Sequence, residues 1–223
     1  MELIFEEKRA KVYDDFISKW MPGYARYMEM LPYILKSSSS ATENILVVGC
    51  GSGNELLSLN KKFPKSFITG IDPSAAMVKI AENKLEGLAN IKVIKGTVEA
   101  IDTVHTFDAA TLSLVLHFIP DDGRKLQLLK EIASKLTPKS VFILCDVFGS
   151  VKEIEVNLQI LKNLLAPITN DFLELENRIE HIRNSFHYVD QDRLEVLFFE
   201  AGFTMPISFF KSSVYSAWLA FKK

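Results

Sequence analysis

The sequence predicts an α/β protein built on a mostly parallel sheet and closed by an antiparallel hairpin. Three observations carry that expectation. Apolar β-runs alternate with helical stretches along most of the chain, a glycine-rich turn joins the first run to its helix, and the last two runs are separated only by Lys211-Ser212-Ser213. Strand–helix alternation at this spacing implies right-handed βαβ crossovers. The last connection is too short for anything but antiparallel neighbours, because a parallel crossover takes about a dozen residues.

The N-terminal part, about residues 5–36, reads as helical. Val12, Phe16, Ile17 and Trp20 recur at helical spacing, Pro22-Gly23 breaks the run, and Tyr24, Tyr27, Met28 and Leu31 mark a second face. Ser37 to Ser40 reads as a linker, dividing a helical lid at 1–36 from a main domain at 42–223. Strands are expected at 44–48, 66–71, 91–95, 107–114 and 140–147. The first, Asn44-Ile45-Leu46-Val47-Val48, has the continuous apolar character of a strand buried on both faces. Helices are expected near 54–63, 74–87 and 123–136. From 150 to 183 the chain reads as helical throughout, with Leu158, Leu161, Leu164 and Leu165 as its core face, giving an insertion at about 150–190. A helix near 190–201 ends at Gly202, and runs at 204–210 and 214–221 form the closing hairpin.

Composition narrows the class. The 223 residues are 48% hydrophobic and 24% charged, as in ordinary folded domains rather than disordered ones. With 26 Lys plus Arg against 28 Asp plus Glu, the net charge of −2 argues against a nucleic-acid binder. Lys61, Lys62, Lys65, Lys79 and Lys84 are scattered over helices rather than gathered into a stripe. Cys50 and Cys145 stand apart in apolar runs, giving neither a metal signature nor a disulfide framework. The first ten residues read as neither a secretory nor a transit leader, and no apolar stretch approaches the roughly 20 residues that span a bilayer. A cytoplasmic protein without membrane contact is expected, and a homodimer is compatible with the sequence.

The strongest local signal is Val47-Val48-Gly49-Cys50-Gly51-Ser52-Gly53-Asn54. Glycine permits a tight turn and close backbone approach to a ligand. Ile71-Asp72 ends the next strand, where a carboxylate can accept ribose hydroxyls; Asp72 also reads as the cap of a helix opening at Pro73-Ser74. The last glycine of a dinucleotide fingerprint would fall on Asn54, so the spacing here is G-x-G-x-G.

That spacing and the closing hairpin resemble the class I S-adenosylmethionine-dependent methyltransferases. The matching pieces are residues 46–53, Gly70-Ile71-Asp72-Pro73-Ser74-Ala75-Ala76-Met77, and Phe107-Asp108-Ala109-Ala110 with Leu116-His117-Phe118. The resemblance implies a Rossmann-like seven-stranded sheet with S-adenosylmethionine above the carboxyl ends of its strands. It places Gly49, Gly51 and Gly53 around the methionine part, with Asp72, Pro73 and Met77 on the ribose side. Thr97 and Val98 fall at the adenine edge, and Ser113 and Leu114 on the floor near the sulfonium. Where the family often carries an acid on the first strand, this chain has Val47, which removes a usual partner of the cofactor amino group.

Within that family, residues 5–24, ending Met21-Pro22-Gly23-Tyr24, and the tail from Ala201-Gly202-Phe203 to Ala220 look like the carboxy-S-adenosylmethionine synthase subgroup. Its members use prephenate and make a carboxylated cofactor for tRNA wobble-uridine modification, held by an arginine of the insertion. The stretch 167–184 does not reproduce that motif, and Arg178 and Arg183 are the nearby arginines. Four functions follow: methyl transfer in line to a small-molecule acceptor, a carboxy-S-adenosylmethionine synthase-like activity, non-catalytic cofactor binding, or methylation of tRNA, which would need the basic stripe that the scattered lysines do not form.

Methyl transfer from a sulfonium needs alignment and exclusion of water, and a base only where the acceptor must lose a proton. His117 is the base candidate, against a packed histidine in the post-strand turn. Asp146 reads as facing the acceptor or as bonding the loop, and Asp121-Asp122 as capping the helix that follows. Tyr24 and Tyr27 are aromatics that a lid could bring to the cofactor, against ordinary packing. Trp20 and Met21 read as packing, and His181, His187 and Tyr188 as surface or packing residues.

Overall fold

The computed structural model describes residue 10 and residues 12–38, 42–102 and 106–223. The expected start of the first helix, Phe5 of the family likeness, and Ser39-Ser40 lie outside the described residues. Two helices come first, α1 (Tyr13–Trp20) and α2 (Tyr24–Ser38). Then β1 (Asn44–Val48), α3 (Asn54–Lys62), β2 (Phe67–Asp72), α4 (Ala75–Lys84), β3 (Ile91–Lys95), β4 (Phe107–Ser113), α5 (Arg124–Lys135) and β5 (Leu136–Val147) alternate. The chain ends with α6 (Val151–Leu165), α7 (Phe172–Ser185), α8 (Gln191–Glu200), β6 (Ile207–Ser212) and β7 (Tyr215–Phe221).

The strands form one seven-stranded sheet in the order β3-β2-β1-β4-β5-β7-β6. The first five strands of that order run parallel, and β7 runs antiparallel to both β5 and β6. The side-chain period of two splits β1 between two cores. Ile45 and Val47 pack with Leu31, Leu35, Leu56 and Leu158 on one face, while Leu46 and Val48 pack with Leu129, Ile132, Leu194 and Leu197 on the other. Trp20, Met21, Tyr27, Leu31 and Leu35 are fully buried, so the N-terminal helices are part of the first core.

Several sequence expectations change. The stretch read as helical throughout 150–183 is two helices, α6 and α7, separated by a short 3₁₀ turn at Ala166–Ile168 and a cap at Asp171. Leu164 is 51% exposed rather than core, because Ile154, Leu158, Leu161 and Leu165 hold the i, i+4, i+7, i+11 stripe and Leu164 falls outside it. Ser37 and Ser38 finish α2 instead of opening a linker. The hairpin turns at Ser213-Val214, with Ser213 at φ 55°, so Lys211 and Ser212 belong to the edge strand β6. Gly123, not Asp121 or Asp122, is the N-cap of α5; Asp121 pairs with Arg193 and Asp122 with Arg124.

Candidate functional site

Strand order reverses between β1 and β4, and ligands of open α/β sheets bind at such a switch point, beyond the carboxyl ends of the strands. Here the turn after β1 is built to a tight tolerance. Gly49 has φ 69°, and a Cβ there would meet Val115 Cγ2 at 2.2 Å. Gly51 has φ 51° and open space where its Cβ would be. Gly49 and Cys50 N–H both donate to the Ile71 carbonyl, at 2.8 and 3.1 Å. Gly51 N–H donates to Asp72 Oδ2 at 2.9 Å, and Gly53 N–H to the Cys50 carbonyl at 3.0 Å. The turn has therefore spent these donors internally, whereas among the described residues no group donates to the carbonyls of Gly49 or Gly51. Free carbonyls in the turn suit a cationic ligand end.

Asp72 closes β2 beside this turn. Its Oδ1 accepts Ser74 N–H at 2.9 Å, and Ser74, whose hydroxyl accepts Met77 N–H at 3.3 Å, is the true N-cap of α4. The capping role read for Asp72 thus passes to Ser74, and Pro73 precedes the helix rather than opening it. Burial lifts the Asp72 carboxyl above its usual value despite the N–H groups of Ser74 and Gly51. Each of its oxygens keeps a lone pair for a diol.

A cavity of about 550 Å³ opens over these groups. Of the residues expected at the cofactor, Gly49, Gly51, Asp72, Pro73, Met77, Ser113 and Leu114 line it, and so does His117. Gly53, Thr97, Val98 and Tyr24 do not. Gly53 is the left-handed N-cap of α3, facing Ala81 and Leu85, Thr97 and Val98 form the turn after β3, and Tyr24 is buried with its hydroxyl 3.4 Å from Asn54 Nδ2. Leu114 carries a φ of 59°, costly for a branched side chain by about 1–2 kcal/mol, and it stands at the end of β4 in the cavity wall. Nothing in its sequence context signals this.

His117 and Asp146 meet at the far side. His117 Nδ1 is 2.5 Å from Asp146 Oδ1, and Asp146 also accepts the N–H of Leu116 at 2.6 Å and of Val147 at 2.7 Å. Burial raises the Asp146 carboxyl, but His117 and the Val147 N–H outweigh it and hold the group below its usual value. With Nδ1 committed to a carboxylate, Nε2 is the nitrogen left for a ligand. The ring lies between Phe118 and Phe186, with centroids at 3.9 and 4.0 Å. Lys125 ties this turn to the insertion: its buried ammonium donates to the carbonyls of Leu116 and His187, both at 2.6 Å, and burial lowers its pKa to about 8.

The insertion supplies the remaining wall through Asn177, Arg178, His181 and Phe186. The Arg178 guanidinium lies 4.9 Å from the Phe16 ring centroid and 5.5 Å from that of Phe186. Its Nε is buried with no hydrogen-bond partner, and among the described residues no carboxylate pairs with it. Arg183 instead points outward to Glu155 and Glu180. His181, read as a surface or packing residue, lines the cavity edge-on to Phe186.

The opposite wall is α1, through Tyr13 and Phe16. Asp14 fastens it to the glycine turn, accepting Ser52 Oγ at 2.5 Å, Asn54 Nδ2 at 2.9 Å and Lys84 Nζ at 2.6 Å. A reading of α1 confined to its apolar face misses this residue. Tyr27 lies beneath, its hydroxyl 2.8 Å from Ser113 Oγ. Cys50 and Cys145 are free, buried thiols. Among the described residues no group of three or more His, Cys, Asp or Glu is placed to hold a metal ion, and no helix is long and apolar enough to cross a membrane.

Comparison with known proteins gives a family likeness and a shared fold. Residues 45–139 match the methyltransferase domain family. The carboxy-S-adenosyl-L-methionine synthase of Campylobacter fetus is 26% identical over 221 residues, covering 98% of this chain and 94% of that protein. That of Dichelobacter nodosus is 27% identical over 225 residues, covering 98% and 92%. Among solved structures, the plantazolicin methyltransferase in complex with SAH superposes with a TM-score of 0.70 at 16% identity, over 98% of this chain and 92% of that one. The magnesium protoporphyrin IX methyltransferase of Synechocystis PCC 6803 with bound SAH gives 0.67 at 16% identity, over 91% and 84%. Residues 45–139 thus match the methyltransferase domain family, and the chain shares the fold of solved methyltransferases along almost its whole length.

Proposed function

We propose that this protein transfers a methyl group in line from S-adenosylmethionine to a small-molecule acceptor whose proton His117 removes. The observation that carries the reading is a single cavity with the glycine turn and Asp72 on one side and the His117–Asp146 pair on the other. The residues fit the cofactor: a buried carboxylate with a lone pair left on each oxygen, and a turn whose unused groups are acceptors. When bound, S-adenosylmethionine supplies an activated methyl group and a neutral thioether leaving group.

The chain's own residues do the rest. Asp72 holds the ribose hydroxyls, and the carbonyls of Gly49 and Gly51 accept from the amino-acid end. Leu114 and Ser113 form the floor. Phe16, Phe118 and Phe186 keep water from the acceptor side, which matters for a displacement that water would compete for. His117 Nε2 accepts the acceptor's proton while Asp146 fixes the ring and stabilises the imidazolium. The helix α1 closes the cavity over the cofactor, fastened by Asp14.

The test is a methylation assay over a panel of small hydroxy, amino and carboxylic acceptors, with S-adenosylhomocysteine formation as readout. Turnover that falls at least about 10²-fold in H117A, with cofactor affinity retained, supports the reading; equal turnover by the variant removes His117 from it.

A second reading, a carboxy-S-adenosylmethionine synthase-like activity, is favoured by Arg178 in the cavity, which has no carboxylate partner among the described residues, and by the near-full-length likeness to carboxy-S-adenosyl-L-methionine synthases. Mass spectrometry of the purified protein separates the two, since the carboxylated nucleoside is heavier by about 44 Da.

A further inference from the structure

Beneath the cavity floor lies a buried acid that the reaction above does not use. Glu55, in the first turn of α3, is 5% exposed, and its Oε1 has no hydrogen-bond partner. Thr111 of β4 is fully buried and its Oγ1 is likewise unpartnered. The hydroxyls of Thr111 and Ser113 are the polar neighbours of the Glu55 carboxyl, and Ser113 itself lines the cavity. The titratable groups facing Glu55 are Tyr24 and Tyr27 of α2, Cys50 of the glycine turn and Cys145 of β5, each an acid kept neutral by burial. No Lys or Arg among the described residues forms an ion pair with it.

A buried carboxyl without a cation is costly if ionised, and here burial raises its pKa. A cation brought beside it would offset that cost. Two further features point to where that cation sits. The glycine turn leading into α3 offers the carbonyls of Gly49 and Gly51, and Val47 leaves the end of β1 without the acid that could balance an ammonium.

We infer that Glu55 is the counter-charge for the α-ammonium on the amino-acid tail of the bound cofactor, a positioning residue that acts through the Ser113 hydroxyl. This rests on the cofactor reading above and adds to it which group neutralises the tail. The ammonium would be held by the carbonyls of Gly49 and Gly51 in front and by the Glu55 charge behind.

The experiment compares two probes by calorimetry, S-adenosylhomocysteine, which carries the ammonium, and 5′-methylthioadenosine, which lacks the whole amino-acid tail. In E55Q, S-adenosylhomocysteine should bind about tenfold or more weakly, while 5′-methylthioadenosine changes by less than about twofold. Equal weakening of both probes would mean a structural role, and unchanged S-adenosylhomocysteine affinity would mean no role; either overturns the assignment. Should E55Q fail to fold, S113A keeps the acid and removes the link, and the same selective loss, smaller in size, is expected of it. Wild-type protein that binds neither probe would overturn the cofactor reading itself, and the assignment with it.

Discussion

Asp146 Oδ1 stands 2.5 Å from His117 Nδ1, with both residues buried and the histidine ring facing the cavity between Phe118 and Phe186. The carboxylate comes from the last residues of β5 and the histidine from the turn after β4, so neighbouring strands deliver the pair. Asp146→Asn should lower kcat by about 10²–10⁴-fold, because an amide selects the wrong tautomer and cannot stabilise the imidazolium. S-adenosylhomocysteine affinity, read by calorimetry, should stay within about twofold. A variant of unchanged kcat would show that the pair only packs the turn.

Asp72→Ala should weaken S-adenosylmethionine more than about tenfold, since it removes the proposed ribose acceptor and strands the N–H groups of Gly51 and Ser74 together. The same variant should lose discrimination against a 2′-deoxy analogue of the cofactor. Calorimetric affinity equal to wild type would take Asp72 out of the site.

Asp14 predicts a pH dependence of the fastening between α1 and the glycine turn. Burial raises its carboxyl, but the hydrogen bonds and charge of Lys84 with the Ser52 and Asn54 contacts hold it below its usual value. A depressed folded pKa means the fastening is fully present above the unfolded value of about 3.9 and is lost as pH falls through the folded one. Cofactor release followed by stopped flow should be pH-independent around neutrality and accelerate only in acid. D14A should release cofactor several-fold faster at neutral pH, and K84M should add little to D14A because both act on one cluster. Additive effects of the two substitutions would contradict a shared latch.

Arg178→Ala should raise the KM of an anionic acceptor by about tenfold or more and leave S-adenosylhomocysteine affinity unchanged, because the guanidinium in the cavity has no carboxylate of its own. Arg183→Ala, whose charge is spent on Glu155 and Glu180 at the surface, should change neither.

The parts of this fold that are legible in the sequence are those with short-range causes. Buried parallel strands write themselves as apolar runs, as at Ile45 to Val48, and the turn after β1 declares itself because only glycine tolerates the φ of Gly49 beside Val115. Boundaries set by competing local signals are less legible: the polar Lys211 and Ser212 look like a turn, yet an edge strand with one free side accommodates them. The acceptor side is hardly legible at all. Asp146 meets His117 only through the β4–β5 register, and Arg178 reaches the cavity only because α6 and α7 break at 166–171 and fold back. Asp14 is a polar residue on an apolar-patterned helix, and its partners Ser52, Asn54 and Lys84 come from three other places in the chain.

The most direct test of the account is a crystal structure with S-adenosylhomocysteine. It should place the ribose hydroxyls on the Asp72 carboxylate and the amino-acid tail at the carbonyls of Gly49 and Gly51, with the sulfur toward His117. A ligand bound elsewhere, or density in the cavity for an unrelated molecule that the nucleoside cannot displace, would contradict it.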